Sequence, residues 1–433
     1  MPPSEFAPRE MPSGSEAGLP RAADRMLRWF TAVGADGAVI RRNFGWLGAD
    51  RLFRLVVGLV VNVWLVRYLG ALDFGLMSFA QSLVGLFAVF TQLGLDSIIV
   101  RDLVRRPAEA PEVLGTACLL RAAGGLLTLT LSVAAVLLLK PGDRTALILG
   151  WLFAGSAMFQ AFDIIEHWFQ SRSSLAAPVL ARTCAFVLGS CAKLACLILR
   201  APLEVLAAAV ALEAVLAALA LAIAYRAAGA SWAGWRFRLE RGRQLLADAW
   251  PLMLGGLAIM LYVRTDQVML TLMRGARENG IYAAAQRLSE ILYFVPSALS
   301  VAANPALLRS HQAGGAEYER RLTRLFSVLV WGAFLIALPV SLMAGWITRT
   351  LFGTAFAASG PVLALHVWAA PAVFLGVAQS NWFVAHGQQR GLLLRTLVGA
   401  VTNIGLNLAL IPSFGAMGAA GATRSRSWWP PSC

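Results

Sequence analysis

GALDFGLMSFAQSL, Gly70 to Leu83, returns later in the chain as GARENGIYAAAQRL, Gly275 to Leu288. Six of the fourteen positions are identical at the same offsets: Gly70/Gly275, Ala71/Ala276, Gly75/Gly280, Ala80/Ala285, Gln81/Gln286 and Leu83/Leu288. Each copy reads as a tight turn with glycines that permit close connection, leading into a helix on which Gln81 and Gln286 are equivalent polar positions. What the repeat does depends on how often the chain crosses between its copies.

Of the 433 residues, 58% are hydrophobic and only 14% charged, and the mean hydropathy is +0.67. The apolar residues come in blocks of about 20, the length a helix needs to cross roughly 30 Å of hydrocarbon. The alternation of transmembrane strands is absent. Eleven spans are expected, near 44–67, 74–95, 114–139, 145–169, 175–199, 203–226, 247–272, 280–303, 325–350, 361–386 and 391–411.

Six crossings separate Gly70 from Gly275, and an even number preserves direction. The fold class is therefore an all-α polytopic membrane protein of two parallel-repeat six-helix bundles, the arrangement of transporters whose halves rock around a central site. Residues 1–40 lack the apolar core of a signal peptide and read as a disordered cytoplasmic tail. Residues 41–226 form the first bundle, 227–246 a cytoplasmic linker, and 247–422 the second bundle with the start of a twelfth span. The segment 423–433 is aberrant: RSRSWWPPSC holds two arginines, two tryptophans and two prolines and cannot make an apolar span, which reads as truncation or a shifted frame.

The formal charge of +14 raises the question of nucleic acid, but the cations lie in short connectors and inside helices, with no basic aromatic domain. With the N-terminus inside, twenty cations fall on the inner face and seven in outer connectors, so the positive-inside rule supports this orientation, with a cytoplasmic N-terminus. The five cysteines show no CxxC spacing, so neither a disulfide nor a metal is expected.

Asp266-Gln267-Val268-Met269-Leu270, Gly275, Gly280-Ile281-Tyr282, Ala284-Ala285, Glu290, Pro296-Ser297-Ala298-Leu299 and Pro305 follow a recognisable order. So do Asn43, Trp46-Leu47, Arg67-Tyr68-Leu69-Gly70, Phe74-Gly75 and Leu93-Gly94-Leu95. Through these residues the chain resembles, from Asn43 to Thr423, the polysaccharide transporter family, the O-antigen and exopolysaccharide flippases of the multidrug/oligosaccharidyl-lipid/polysaccharide superfamily. The resemblance implies twelve or more helices and transport of a sugar chain on polyprenyl diphosphate from the inner to the outer leaflet. It also implies a pathway shared with glycosyltransferases and a polysaccharide polymerase. The chain itself is not expected to be an enzyme.

A charge at mid-bilayer costs on the order of 2.5–3.5 kcal/mol, so intramembrane ionisable residues are functional candidates. Asp50/Arg54 and Arg287/Glu290 are spaced to neutralise each other along one helix. Arg264 and Asp266 point to opposite faces and need partners elsewhere. Arg182 and Lys193 line one stripe of a span that contains no acid. The expected cationic lumen for an anionic head group is Arg264, Lys193, Arg287, Arg54, Arg51 and Arg182, and the coupling or lumen acids are Asp266, Glu290 and Glu213. Snorkelling to the inner surface is the plainer account of Arg51, Arg54, Arg121 and Arg182. Coupling to H+ or Na+ is open, and no other cofactor is expected. Asp163 and His167 are placed to meet at i, i+4.

Two rivals stand beside the flippase. A drug or cation antiporter of the same superfamily would favour acidic lumen positions. A membrane polymerase or ligase would carry a long outer loop, and the outer connectors are all short.

Overall fold

The computed structural model describes residues 36–300, 303, 307, 315–385 and 389–427. Among these there is helix and no strand. The first half contains α1 (Asp36–Phe87), α2 (Val89–Gln92), α3 (Asp96–Arg105), α4 (Ala110–Leu139), α5 (Arg144–Ala157), α6 (Ile164–Ser171), α7 (Ala176–Ile198) and α8 (Leu203–Ala227). The second contains α9 (Leu239–Arg274), α10 (Ala276–Leu292), α11 (Gly315–Phe352), α12 (Ser359–His366), α13 (Ala370–Ala385) and α14 (Gln389–Ser427). Residues 52–433 cluster as one compact unit and residues 1–51 as another.

Among the described residues, nine helical elements are long and apolar enough to cross a membrane. The first, Asp50–Arg105, is 56 residues and turns back at Gly70, so it supplies two expected spans. The 17-residue α10 carries the expected eighth, whose end near 301–303 reaches beyond the continuously described chain. Large apolar side chains such as Leu138, Leu199, Leu335 and Leu342 are about four-fifths exposed, as lipid-facing residues must be.

Several boundaries differ from expectation. The chain is already helical from Asp36, inside the segment read as tail, whereas residues 1–35 lie outside the described residues. The second span bends where Leu93 and Gly94 adopt left-handed conformations, and then continues as α3. The fourth span is interrupted by a 3-10 segment, Met158–Asp163, and its repeat equivalent by another, Val367–Ala369. The linker ends early, because α9 begins at Leu239. After a break at Gly415, helix continues to Ser427, so the start of the twelfth span rises about 18 Å. Residues 428–433 lie outside the described residues.

The repeated turns meet each other. Gly70 (φ 68°, ψ −178°) and Gly275 (φ 94°, ψ 169°) reverse the chain in a conformation that L side chains rarely adopt. One turn further on, a Cβ at Gly75 would lie 1.7 Å from the Ala276 carbonyl oxygen, and a Cβ at Gly280 would lie 1.8 Å from that of Ala71. Equivalent residues thus make each other's contacts, the signature of a two-fold relation between the copies. Asn279 Nδ2 donates to the Gly75 carbonyl at 2.9 Å across the same seam.

At this end the halves share one apolar core, in which Phe74, Met77 and Ala80 pack with Ala283, Ala284, Phe352 and Phe356. Arg67 adds hydrogen bonds to the carbonyls of Thr350 and Leu351. At the opposite end the cores separate. Leu95, Ile99, Ile164 and Trp168 pack in the first half, and Leu307, Tyr318, Leu329 and Phe374 in the second. The first turns of α9 stay with the first half, where Arg241 pairs with Asp102 at 3.1 Å and Leu245 and Ala249 join its core.

Gly75→Ala or Gly280→Ala forces two backbones apart and should destabilise the protein by about 1–3 kcal/mol, as core overpacking does. Thermal unfolding of the detergent-solubilised chain should fall by several degrees in either variant. Gly332→Ala, where a Cβ meets nothing within 4 Å, should leave it unchanged or raise it.

Candidate functional site

The seam continues inward from the glycines as a polar chain. Ser82 Oγ donates to Gln267 Oε1 at 2.7 Å, Gln267 Nε2 donates to Gln286 Oε1 at 2.7 Å, and Gln286 Nε2 donates to Glu290 Oε1 at 2.9 Å. Ser82, Gln267 and Gln286 are buried. The expected equivalents Gln81 and Gln286 both lie at the seam with different partners, since Gln81 Oε1 accepts from Arg287 Nη2 at 2.9 Å.

Arg264 reaches the same stripe of α1 one turn further along. A Cβ at Gly85 would lie 3.5 Å from Arg264 Nε, and Gln81 and Gly85 share a helix face. Arg287 is attracted by Glu290 and repelled by Arg264. Among the described residues neither arginine forms a salt bridge. Two guanidiniums from different helices therefore converge where the halves meet, with Glu290 as their acidic neighbour.

Asp266 faces away from that stripe and is 1% exposed. Its carboxylate accepts from Asn407 Nδ2 at 2.6 Å, Thr423 Oγ1 at 2.7 Å and Tyr282 Oη at 3.0 Å. Asn407 also donates to Asn403 Oδ1 at 3.1 Å, while Asn407 Oδ1 and Asn403 Nδ2 are buried without a partner among the described residues. Sequence reasoning missed Asn403, Asn407 and Thr423. Their i, i+4 spacing on α14 was visible in Asn403 and Asn407, but not the carboxylate they serve.

The other expected lumen cations lie elsewhere, and the reading of Arg182 and Lys193 as a stripe without acid needs correction. Their own helix α7 has none, but neighbouring elements supply them. Arg182 pairs with Asp163 at 2.9 Å and with Glu166, and Lys193 Nζ meets Glu213 Oε2 at 2.7 Å. Glu213 is therefore an ion-pair partner in this structure. Arg54 donates to Thr183 Oγ1 at 3.2 Å and the Val179 carbonyl at 3.4 Å, and it approaches the Phe186 ring at 5.8 Å. Arg51 is exposed. His167 Nε2 contacts Asp96 at 3.1 Å, where Asp163 was expected. Among the described residues no group of three or more His, Cys, Asp or Glu could hold a metal ion.

With the fold and seam in view, comparison with known proteins is informative. The profile of a family described as polysaccharide biosynthesis protein matches residues 40–311. The chain superimposes on the inward closed conformation of the lipid II flippase MurJ with a TM-score of 0.71 at 13% identity, covering 88% of this chain and 84% of that one. It superimposes on an inward-facing multidrug resistance MATE transporter of the MOP superfamily with a TM-score of 0.70 at 16% identity, covering 86% and 92%. An outward-facing MATE conformation gives 0.56 at 15% identity, covering 92% and 93%. No curated protein sequence matches.

The Lys193–Glu213 pair can be tested for a purely structural role. Lys193→Leu alone strands a part-buried carboxylate among helices and should destabilise by less than the roughly 3–5 kcal/mol of breaking a fully buried pair. The double variant Lys193→Leu/Glu213→Leu should recover most of that stability. Thermal unfolding of both, side by side, gives the answer.

Proposed function

Because this chain belongs to the polysaccharide biosynthesis protein family, we propose that it is a flippase carrying polyprenyl-diphosphate-linked oligosaccharide from the inner to the outer leaflet of the cytoplasmic membrane. The observation that carries this reading is the convergence of Arg264 and Arg287 on the Gln81–Gly85 stripe. A diphosphate is anionic and strongly hydrated, and crossing lipid requires donors that replace its water. Paired guanidiniums bind such oxygens bidentately. The prenyl tail has no such requirement and stays in lipid while the head group passes between the halves.

Alternating access follows from the same seam. The positive-inside count puts Gly70 and Gly275 on the outer side, so the shared core closes the outer end and the separated cores leave the inner end free to part. A head group assembled in the cytoplasm would load there. Rocking about the glycine contact would then open the outer end.

We assign coupling to Asp266. Its hydrogen-bonded oxygens, beside the unpartnered Asn407 Oδ1, suit a proton or a monovalent cation. The same buried acid is what favours the rival antiporter for cationic drugs.

Arg264→Ala and Arg287→Ala should each reduce surface polysaccharide at least tenfold and leave lipid-linked glycan on the cytoplasmic side, while Arg→Lys at either position keeps part of the activity. Retained polysaccharide in both alanine variants, with altered drug resistance, would favour the antiporter. In vesicles, Asp266→Asn should remove any dependence of transport on a proton or sodium gradient. Wild-type transport indifferent to both gradients would dismiss the coupling role.

A further inference from the structure

A second polar chamber lies within the first half, near the inner end of the seam. Its volume is about 160 Å³, the liquid volume of roughly five waters at ~30 Å³ each. Its rim on α2 abuts the second half, where a Cβ at Gly256 would lie 3.3 Å from Val89. The chamber has an open mouth, since the Asp96 side chain is 57% and that of Glu166 39% exposed.

The lining joins charges of both signs to neutral amides. Asp96, Asp163 and Glu166 provide carboxylates, and Arg121 and Arg182 provide guanidiniums. Arg121 hydrogen-bonds Asp96 through Nη2 although its side chain is only 2% exposed. Its Nε is buried without a partner among the described residues, as is His167 Nδ1. The side chains of Gln92 and Gln160 complete the wall and make no hydrogen bond among the described residues. Buried polar atoms are ordinarily satisfied, so the Arg121 Nε and His167 Nδ1 atoms point to a ligand or water in the chamber, and the amides of the exposed Gln92 and half-buried Gln160 stand at its wall.

The charges decide the chemistry of that ligand. A phosphate oxyanion would face three carboxylates against two guanidiniums already bound to them. A bare cation would meet those guanidiniums at Asp96, Asp163 and Glu166. A neutral polyol suits both signs, because each hydroxyl donates to a carboxylate lone pair and accepts from a guanidinium or amide N–H. The volume fits one six-membered sugar ring.

We propose that this chamber is a saccharide subsite that holds one uncharged ring of the translocated glycan, apart from the arginine pair at the seam. The proposal rests on the flippase reading for the source of the sugar, but it concerns different residues. Arg121, which the sequence offers only as a cation near the surface, becomes a glycan-binding residue with Arg182, Gln92 and Gln160.

Saturation-transfer NMR on the full chain in nanodiscs tests this, with methyl hexosides, N-acetylhexosaminides and 6-deoxyhexosides as probes and inorganic pyrophosphate titrated in parallel. At least one neutral glycoside should bind the wild type in the millimolar range. Gln92→Ala and Gln160→Ala, which remove no existing hydrogen bond, should each weaken it about tenfold, the effect of losing roughly 1.4 kcal/mol, and leave pyrophosphate binding intact. Arg264→Ala should do the reverse. The proposal fails if no glycoside binds, if neither glutamine variant weakens binding, or if pyrophosphate displaces the sugar. Glycoside binding that persists while pyrophosphate never binds would instead sink the diphosphate reading.

Discussion

Backbone contact between the two repeated turns is the constraint on which this structure depends. Ala71 and Ala276 each present a carbonyl to the glycine of the opposite copy, at a separation that leaves no room for a Cβ on either side. In lipid, apolar side chains gain little from leaving one bilayer environment for another, so association relies on close packing of small residues and on polar groups that find each other. The glycines supply the approach. Asn279, Ser82, Gln267 and Gln286 supply the hydrogen bonds immediately inward of it. At that end the halves share a core, and at the other each has its own.

That geometry explains how the membrane charges are sorted. Three cations within the first half meet acids there: Lys193 meets Glu213 on α8, Arg182 meets Asp163 and Glu166, and Arg121 meets Asp96. These contacts hold helices of one bundle together in a medium where an uncompensated charge is costly. Arg264 and Arg287 sit where two bundles meet, and Glu290 is the acidic neighbour of the couple. This arginine couple lies where the wall belongs to both halves. The carboxylate of Asp266, satisfied within the second half, is set apart from that wall by two residues of helix and a half-turn.

The repeat, the helical class and the positions of most spans were legible from local pattern. Hydropathy blocks mark spans because lipid imposes backbone self-satisfaction on every crossing. Gly70 and Gly275 mark turns because a positive φ is steric and local. What failed was pairing. Arg182 and Lys193 looked uncompensated because a helix periodicity argument sees acids only on the same helix. The tripartite support of Asp266 by Tyr282, Asn407 and Thr423 joins residues from α10 and both legs of α14, and no spacing in one dimension records that.

By itself the sequence determined a polytopic helical chain, its reversal points and the parallel sense of its two copies, since each of these follows from local sterics and the thickness of a bilayer. Only the tertiary structure decided which cations meet an acid on a neighbouring element. It also decided that Gly75 and Gly280 touch one another's copy, and that an open polar chamber forms beneath α2. The physical reason is that electrostatic compensation and close approach act between groups distant in the chain, and a one-dimensional pattern carries no distances across helices.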